Sequence, residues 1–173
     1  MAIHTVIMPL ASNEASRETA VSRAFATLLQ AQAAFVQAER DYEDVAQSRD
    51  PAFRMWERDA ELAQEQLTSA LRHFHALPLE IPEDRPLRRM ALLIDMMLGD
   101  EEPGGARRLH RKMQLAFFAS FQARGIGATA MHRNALLIQA RHLTSAMVAL
   151  PLFDGAEAGD GGAPSPQDMP STF

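Results

Sequence analysis

Cysteine is absent from the 173 residues, and lysine nearly so, with Lys112 standing alone among 17 basic side chains. The first absence excludes disulfides, thiolate metal sites and a cysteine nucleophile, and it is compatible with a reducing compartment. The second, in so alanine-rich a chain, reads as genome composition rather than as a role for each arginine. Long apolar runs are missing too. The longest, "MALLIDMML", is interrupted by Asp95 and is too short to cross a bilayer. The opening "MAIHTVIMPLASNEAS" has no cationic start, and its apolar part ends at a proline, so no targeting segment is expected. A cytoplasmic protein is the expectation.

Catalytic signatures are missing as well. There is no Gly-x-Ser-x-Gly, no phosphate-binding P-loop, no His-Glu-x-x-His and no Glu-x-x-His of a di-iron bundle. His73 and His75, two apart, point to nearly opposite sides of a helix. His110, His132 and His142 have no His, Asp or Glu three or four residues away. His142 shares a stripe with Met131, Ala135 and Ile138, which predicts an interior, hydrogen-bonded histidine. Gly104–Gly105 and Gly125–Gly127 open helices, but no strand precedes either pair, as a phosphate loop would need. The acids of "ERDYED" read as a solvated helix end. No enzyme, metal or cofactor is expected.

What is present is a polarity of charge and a helical period. Residues 1–86 hold 8 cations and 14 anions; residues 87–150 hold 9 and 4; residues 151–173 hold four anions and no cation. No acid falls between Glu102 and Asp154. A first helix is expected from about Asn13 to Gln47, capped by Ser12 or Asn13. Val21, Leu28, Phe35 and Tyr42 recur every seven residues, with Ala24, Ala31, Ala38 and Val45 as the second row. That spacing predicts a coiled-coil seam. Asp50 and Pro51 then start a second helix to about Leu77, with rows Phe53, Ala60, Leu67, Phe74 and Trp56, Ala63, Ala70, Leu77. Two such helices and a short turn predict an antiparallel hairpin over residues 13–77, its alanines meeting in a close contact.

A proline-rich link, "PLEIPEDRP", leads to three more apolar helices over 86–150: about Pro86–Leu98, Ala106–Ala123 and Ala128–Leu150. The first is expected to be buried on most sides. The methionines here, Met90, Met96, Met97, Met113, Met131 and Met147, are expected to fill the core. The whole predicts an all-α protein: a five-helix bundle over 1–153, built on a long Ala-rich antiparallel hairpin. A disordered acidic C-terminal tail should follow over 154–173. "HTVIM" near the start is the only strand candidate.

Two motifs bear on partners. "GIGATAMHR" resembles the turn and start of the recognition helix in the helix-turn-helix of the resolvase–invertase family. Gly125, Ile126 and Gly127 match the turn; Met131 and Arg133 match an apolar and a basic position. The resemblance implies DNA reading, but it spans nine residues and departs at Phe121, where the motif has a small residue. A plain helix–helix corner, with the glycines ending the fourth helix, is the preferred reading. Arg107, Arg108, Arg111 and Lys112 fall within about 140° of one helix's arc. They form a candidate contact for an acidic partner or a nucleic acid, or pair with the acidic arms or tail of the same molecule or a twin. The expected role is a non-catalytic interaction or assembly module, a homo-oligomer or a partner of another helical protein. Surplus apolar faces motivate it: a second ridge, Phe25, Leu29 and Val36, on the first helix, and a third helix with little polar surface. A nucleic-acid-associated regulator is the alternative. No membrane partner is expected, because the acidic arms suit an anionic membrane poorly.

Overall fold

A computed structural model describes residues 18–46 and 53–154. These form five α-helices: α1 (Ala20–Ala46), α2 (Phe53–Ala76), α3 (Arg85–Leu98), α4 (Gly105–Ser120) and α5 (Ala128–Val148). Short 3-10 turns, Pro82–Asp84 and Pro151–Phe153, precede α3 and follow α5. The described residues contain no strand, and the all-α class is as expected. The "HTVIM" segment, the Ser12/Asn13 cap, the Asp50–Pro51 start and the acidic tail beyond Asp154 lie outside the described residues.

Within them, α1 starts at Ala20, not near Asn13. Thr19 is the reason. Its Oγ1 accepts the Ser22 amide proton at 3.0 Å, and Ser22 Oγ accepts the Thr19 amide proton at 3.0 Å. Two amides that a helix start leaves unpaired are thereby satisfied reciprocally. From there α1 runs about 40 Å and α2 about 36 Å at 1.5 Å per residue. The heptad rows are the buried rows. Val21, Leu28 and Phe35 on α1 and Ala60, Ala63, Leu67 and Phe74 on α2 are inside, joined by Leu71, which lies off the rows. Ring pairs Phe25–Phe74 at 5.5 Å and Tyr42–Phe53 at 5.1 Å set the antiparallel register. That register lays Ala31 about level with Leu67 and Phe35 about level with Ala63. At these two levels alanine meets a large side chain, whereas Ala38 falls about level with Ala60, alanine against alanine.

The second ridge of α1 is not surplus. Phe25, Leu29 and Val36 are buried, and α5 covers this side of α1. Gln32, on the same side, donates to Thr144 Oγ1 at 3.3 Å across the α1–α5 contact. The packing stripe of α5 is Ala130, Arg133, Leu137, Ala140, Thr144 and Met147, a heptad-like row of buried residues. Met131, Ala135, Ile138 and His142 face solvent instead. The expectation of an interior His142 is therefore corrected, since the stripe it belongs to is the outer one. Met90, Met97, Met113 and Met147 are core, as expected; Met96 and Met131 are not.

Arg133 is the largest fully buried side chain. Its Nε donates to Asp84 Oδ1 at 2.9 Å and its Nη2 to Thr19 Oγ1 at 3.1 Å, while Thr19 Oγ1 donates to Asp84 Oδ2 at 2.7 Å. Asp84 is equally buried. One ion pair thus ties the start of α1, the entry to α3 and the first turns of α5. Buried charges persist only when paired and hydrogen-bonded in this way.

Candidate functional site

Two glycines position α4. Gly104 caps it with φ at +69°, a left-handed conformation that costs a glycine little. A Cβ at Gly105 would stand 2.2 Å from the Asp100 carboxylate, which sits beside the positive end of the helix. Asp100 Oδ1 also accepts the Glu102 amide proton at 3.0 Å, closing the turn.

The four predicted site residues, Arg107, Arg108, Arg111 and Lys112, are all exposed on the outer face of α4. Of the two acidic sources expected, the arms supply no partner among the described residues, whereas Asp154, at the start of the expected tail, does. Arg107 pairs with Asp154, and Arg108 pairs with Glu102 in the preceding loop and donates to the Pro103 carbonyl at 3.1 Å. Among the described residues no carboxylate pairs with Arg111 or Lys112. The same outer face carries two large apolar side chains, Leu115 at 85 % and Phe118 at 67 % exposure. Sequence reasoning missed both, although the 3.6-residue period places them within the arc of Arg107, Arg108, Arg111 and Lys112 and could have found them.

Alongside, α3 presents the stripe Arg85, Arg89, Leu92 and Met96, all exposed. Leu92 and Met96 correct the expectation of a helix buried on most sides: α3 buries only Pro86, Leu87, Met90, Ala91, Ile94 and Met97. Arg89 donates to the Ser120 carbonyl at 2.9 Å, so this stripe borders α4 and runs antiparallel to it. In that register Leu92 and Met96 accompany the Leu115–Phe118 turns. Arg85, Arg89 and Arg124 line a cleft of about 350 Å³ at the far end, with Glu83 as its one acid. The α3–α4 outer face is therefore apolar in the middle and basic at both ends.

On the other flank of α4 a polar clasp joins it to α5. His110 Nε2 lies 2.9 Å from Ser145 Oγ and 2.9 Å from Gln114 Nε2. Gln114 also donates to Ser145 Oγ at 2.9 Å, and Arg141 Nε donates to Gln114 Oε1 at 2.5 Å. The Arg141 guanidinium lies 4.9 Å from the Phe117 ring centre. Burial, and secondarily the charge of Arg141, hold the His110 pKa below its ordinary value. A histidine beside a serine suggests a base and its nucleophile, but Ser145 Oγ donates to the Arg141 carbonyl at 2.9 Å within its own helix. Among the described residues no carboxylate joins the cluster to orient the ring, as a triad would require. The described residues hold no group of three His, Asp or Glu fit for a metal ion. No helix of the described residues is long and apolar enough to cross a membrane.

The glycine corner is a reversal of the chain. α4 stops at Ser120 rather than at Ala123, ahead of the glycines. Asn134 of α5 takes the Ala123 amide proton at 2.8 Å and donates to the Ala123 carbonyl at 3.1 Å, which pulls that residue off the helix path. Gly125 turns the chain with φ at +119°, and extended Gly127 leads into α5. Arg133, the basic match to the resolvase–invertase motif, is inside the protein and faces Asp84. Its position in the row Ala130, Leu137, Ala140 is the sequence signal that could have placed it there. No known protein family, curated protein or solved structure matches this chain.

Proposed function

We propose that the chain is a non-catalytic helical assembly module of the cytoplasm that associates with a second copy of itself. The α3–α4 outer face of one copy receives α2 of the other. The observation that carries this reading is the exposure of Leu115 and Phe118 beside Leu92 and Met96, with Arg111 and Lys112 at the edge. Solvent-facing apolar side chains grouped in this way, rimmed by charge, mark docking surfaces. α2 offers the complement. Met55 and Leu62, at 63 % and 44 % exposure, lie seven residues apart on its outer stripe, and Glu61 and Glu65 are exposed on the same side. Apolar surface would meet apolar surface while arginine and lysine meet glutamate.

Light-scattering mass over a range of protein concentrations tests this. The wild type should gain mass with concentration, and Phe118→Glu should stay at one chain's mass. A wild type that remains at 19.1 kDa throughout would sink the proposal. A second reading, contact with nucleic acid, is favoured only by the absence of carboxylate partners at Arg111 and Lys112. It requires binding at low salt that weakens steeply as salt rises, because neutralised phosphates release counterions. Arg111→Glu should then abolish that binding.

A further inference from the structure

Two neighbouring residues of α5 hold the walls of the basic cleft. Arg85 and Arg89 of α3 line one side of its 350 Å³, Ser120, Gln122 and Arg124 the other, with Glu83 as the one acid. Arg133 fixes the first wall, because its partner at 2.9 Å, the buried Asp84, immediately precedes Arg85. Asn134 fixes the second. Its side chain takes the Ala123 amide proton at 2.8 Å and donates to the Ala123 carbonyl at 3.1 Å, between Gln122 and Arg124. Arg89 bridges the two walls, its Nη1 donating to the Ser120 carbonyl at 2.9 Å. Among the described residues no carboxylate pairs with Arg85, Arg89 or Arg124, and Glu83 is no exception. Like charges held together repel, and an anion between them relieves that repulsion.

We infer that this cleft binds a small phosphate monoester that also carries hydroxyl groups. Three arginines against one glutamate leave a net charge of +2. A phosphate monoester matches it with about −1.5 to −2 at neutral pH. A phosphodiester, with a single charge, matches it less well. Each guanidinium presents its N–H donors in a planar fork that fits phosphate oxygens in pairs. A bare phosphate ion would fill only part of the cleft, whose volume lies at the lower end for small-molecule pockets. Glu83 repels the anion but accepts hydrogen bonds, so it favours a ligand whose remainder bears donors, and hydroxyl groups supply them. The site lies apart from Leu115 and Phe118 and does not depend on the docking of a second copy.

Three probes, titrated separately into the isotope-labelled full chain, test this by magnetic resonance: ribose phosphorylated on its primary hydroxyl, ribose itself and inorganic phosphate. The sugar phosphate should shift the side-chain Nε–H signals of Arg85, Arg89 and Arg124 and the Gln122 amide to a plateau, and ribose should shift none of them. Arg85→Gln and Arg124→Gln should each weaken its binding about tenfold, the loss of one charge-assisted contact. Both side chains are exposed, so the melting temperature should stay at the wild-type value. Inorganic phosphate should bind more weakly than the sugar phosphate. In Glu83→Ala that preference should narrow, because the ion gains from removal of a like charge while the sugar loses its acceptor. Shifts that reach no plateau, or equal binding of the sugar phosphate and inorganic phosphate, would overturn the inference. So would equal shifts at Arg107, Arg111 and Lys112, which mark unspecific attraction to cations. A single-stranded oligonucleotide that moves the cleft arginines together with Arg111 and Lys112, where the sugar phosphate moves neither group, would replace it with the nucleic-acid reading.

Discussion

The α1–α2 hairpin and the α3–α5 layer are both helical and both rich in apolar residues, yet they use them differently. In the hairpin the heptad rows turn inward, the second ridge of α1 is buried under α5, and Met55 and Leu62 are the large apolar side chains left outside among the described residues. In the layer there are more apolar residues than interior positions. Leu92, Met96, Leu115, Phe118, Met131 and Ile138 stay outside. Conversely, Arg133 and Asp84 go in. A regular period thus states which side is buried, whereas apolar content without one does not.

The largest effect should come from the polar core of the layer. Arg133→Met leaves Asp84 charged, buried and unpaired, which should cost about 3–5 kcal/mol in denaturant unfolding. Adding Asp84→Leu to it should recover most of that loss, because a well-packed apolar pair removes the uncompensated charge. A single substitution that costs nothing would mean the pair is hydrated and the layer has no polar core.

The hairpin should respond to volume instead. Ala31→Leu places a second large side chain level with Leu67 and should cost about 1–3 kcal/mol. Ala34→Leu, at an exposed position of the same helix, should fall within about 0.5 kcal/mol of the wild type. Equal effects at both positions would dissolve the distinction between seam and surface.

A smaller effect concerns pH. His110 titrates below histidine's ordinary value of about 6.5 in the folded chain. Its contribution to stability is complete above that value and is lost as pH falls through the lower folded one. Thermal unfolding should therefore show stability declining below about pH 6.5, and His110→Gln should flatten that part of the profile. Glu39 acts in the opposite sense. Burial, then the neighbouring Glu43, raise its pKa, so its contribution is complete in acid and drains as pH rises through the raised value. An unchanged slope in His110→Gln would assign the acid sensitivity elsewhere.

The comparison also explains how far the sequence could be read. The hairpin, the helix order and the basic arc of α4 follow from spacing, because each depends on one helix's own period. The start of α1 at Thr19 was hidden by the stronger-looking Ser12 and Asn13. The inside and outside of α3, α4 and α5 depend on which helix packs where, and several faces of each were apolar enough to qualify. Arg133 reads as surface by residue type and as core by its place in the row Ala130, Leu137, Ala140. In the fold the position prevails because Asp84 and Thr19 satisfy it.

Removing the apolar middle of the outer face should barely touch monomer stability. Leu115→Glu and Phe118→Glu each lie at the surface and should change unfolding free energy by no more than about 0.5 kcal/mol. Their effect belongs to assembly, and one measurement isolates it. Leu62→Glu spoils the α2 side of the contact and Phe118→Glu the α4 side, so neither variant alone should associate. Mixed, the two retain one intact pairing: α2 of the Phe118→Glu chain against α4 of the Leu62→Glu chain. Light scattering of the mixture should show a two-chain species, weaker than the wild-type assembly, that neither variant forms by itself. A wild type that assembles while the mixture stays at one chain's mass would contradict the docking of α2 on α4.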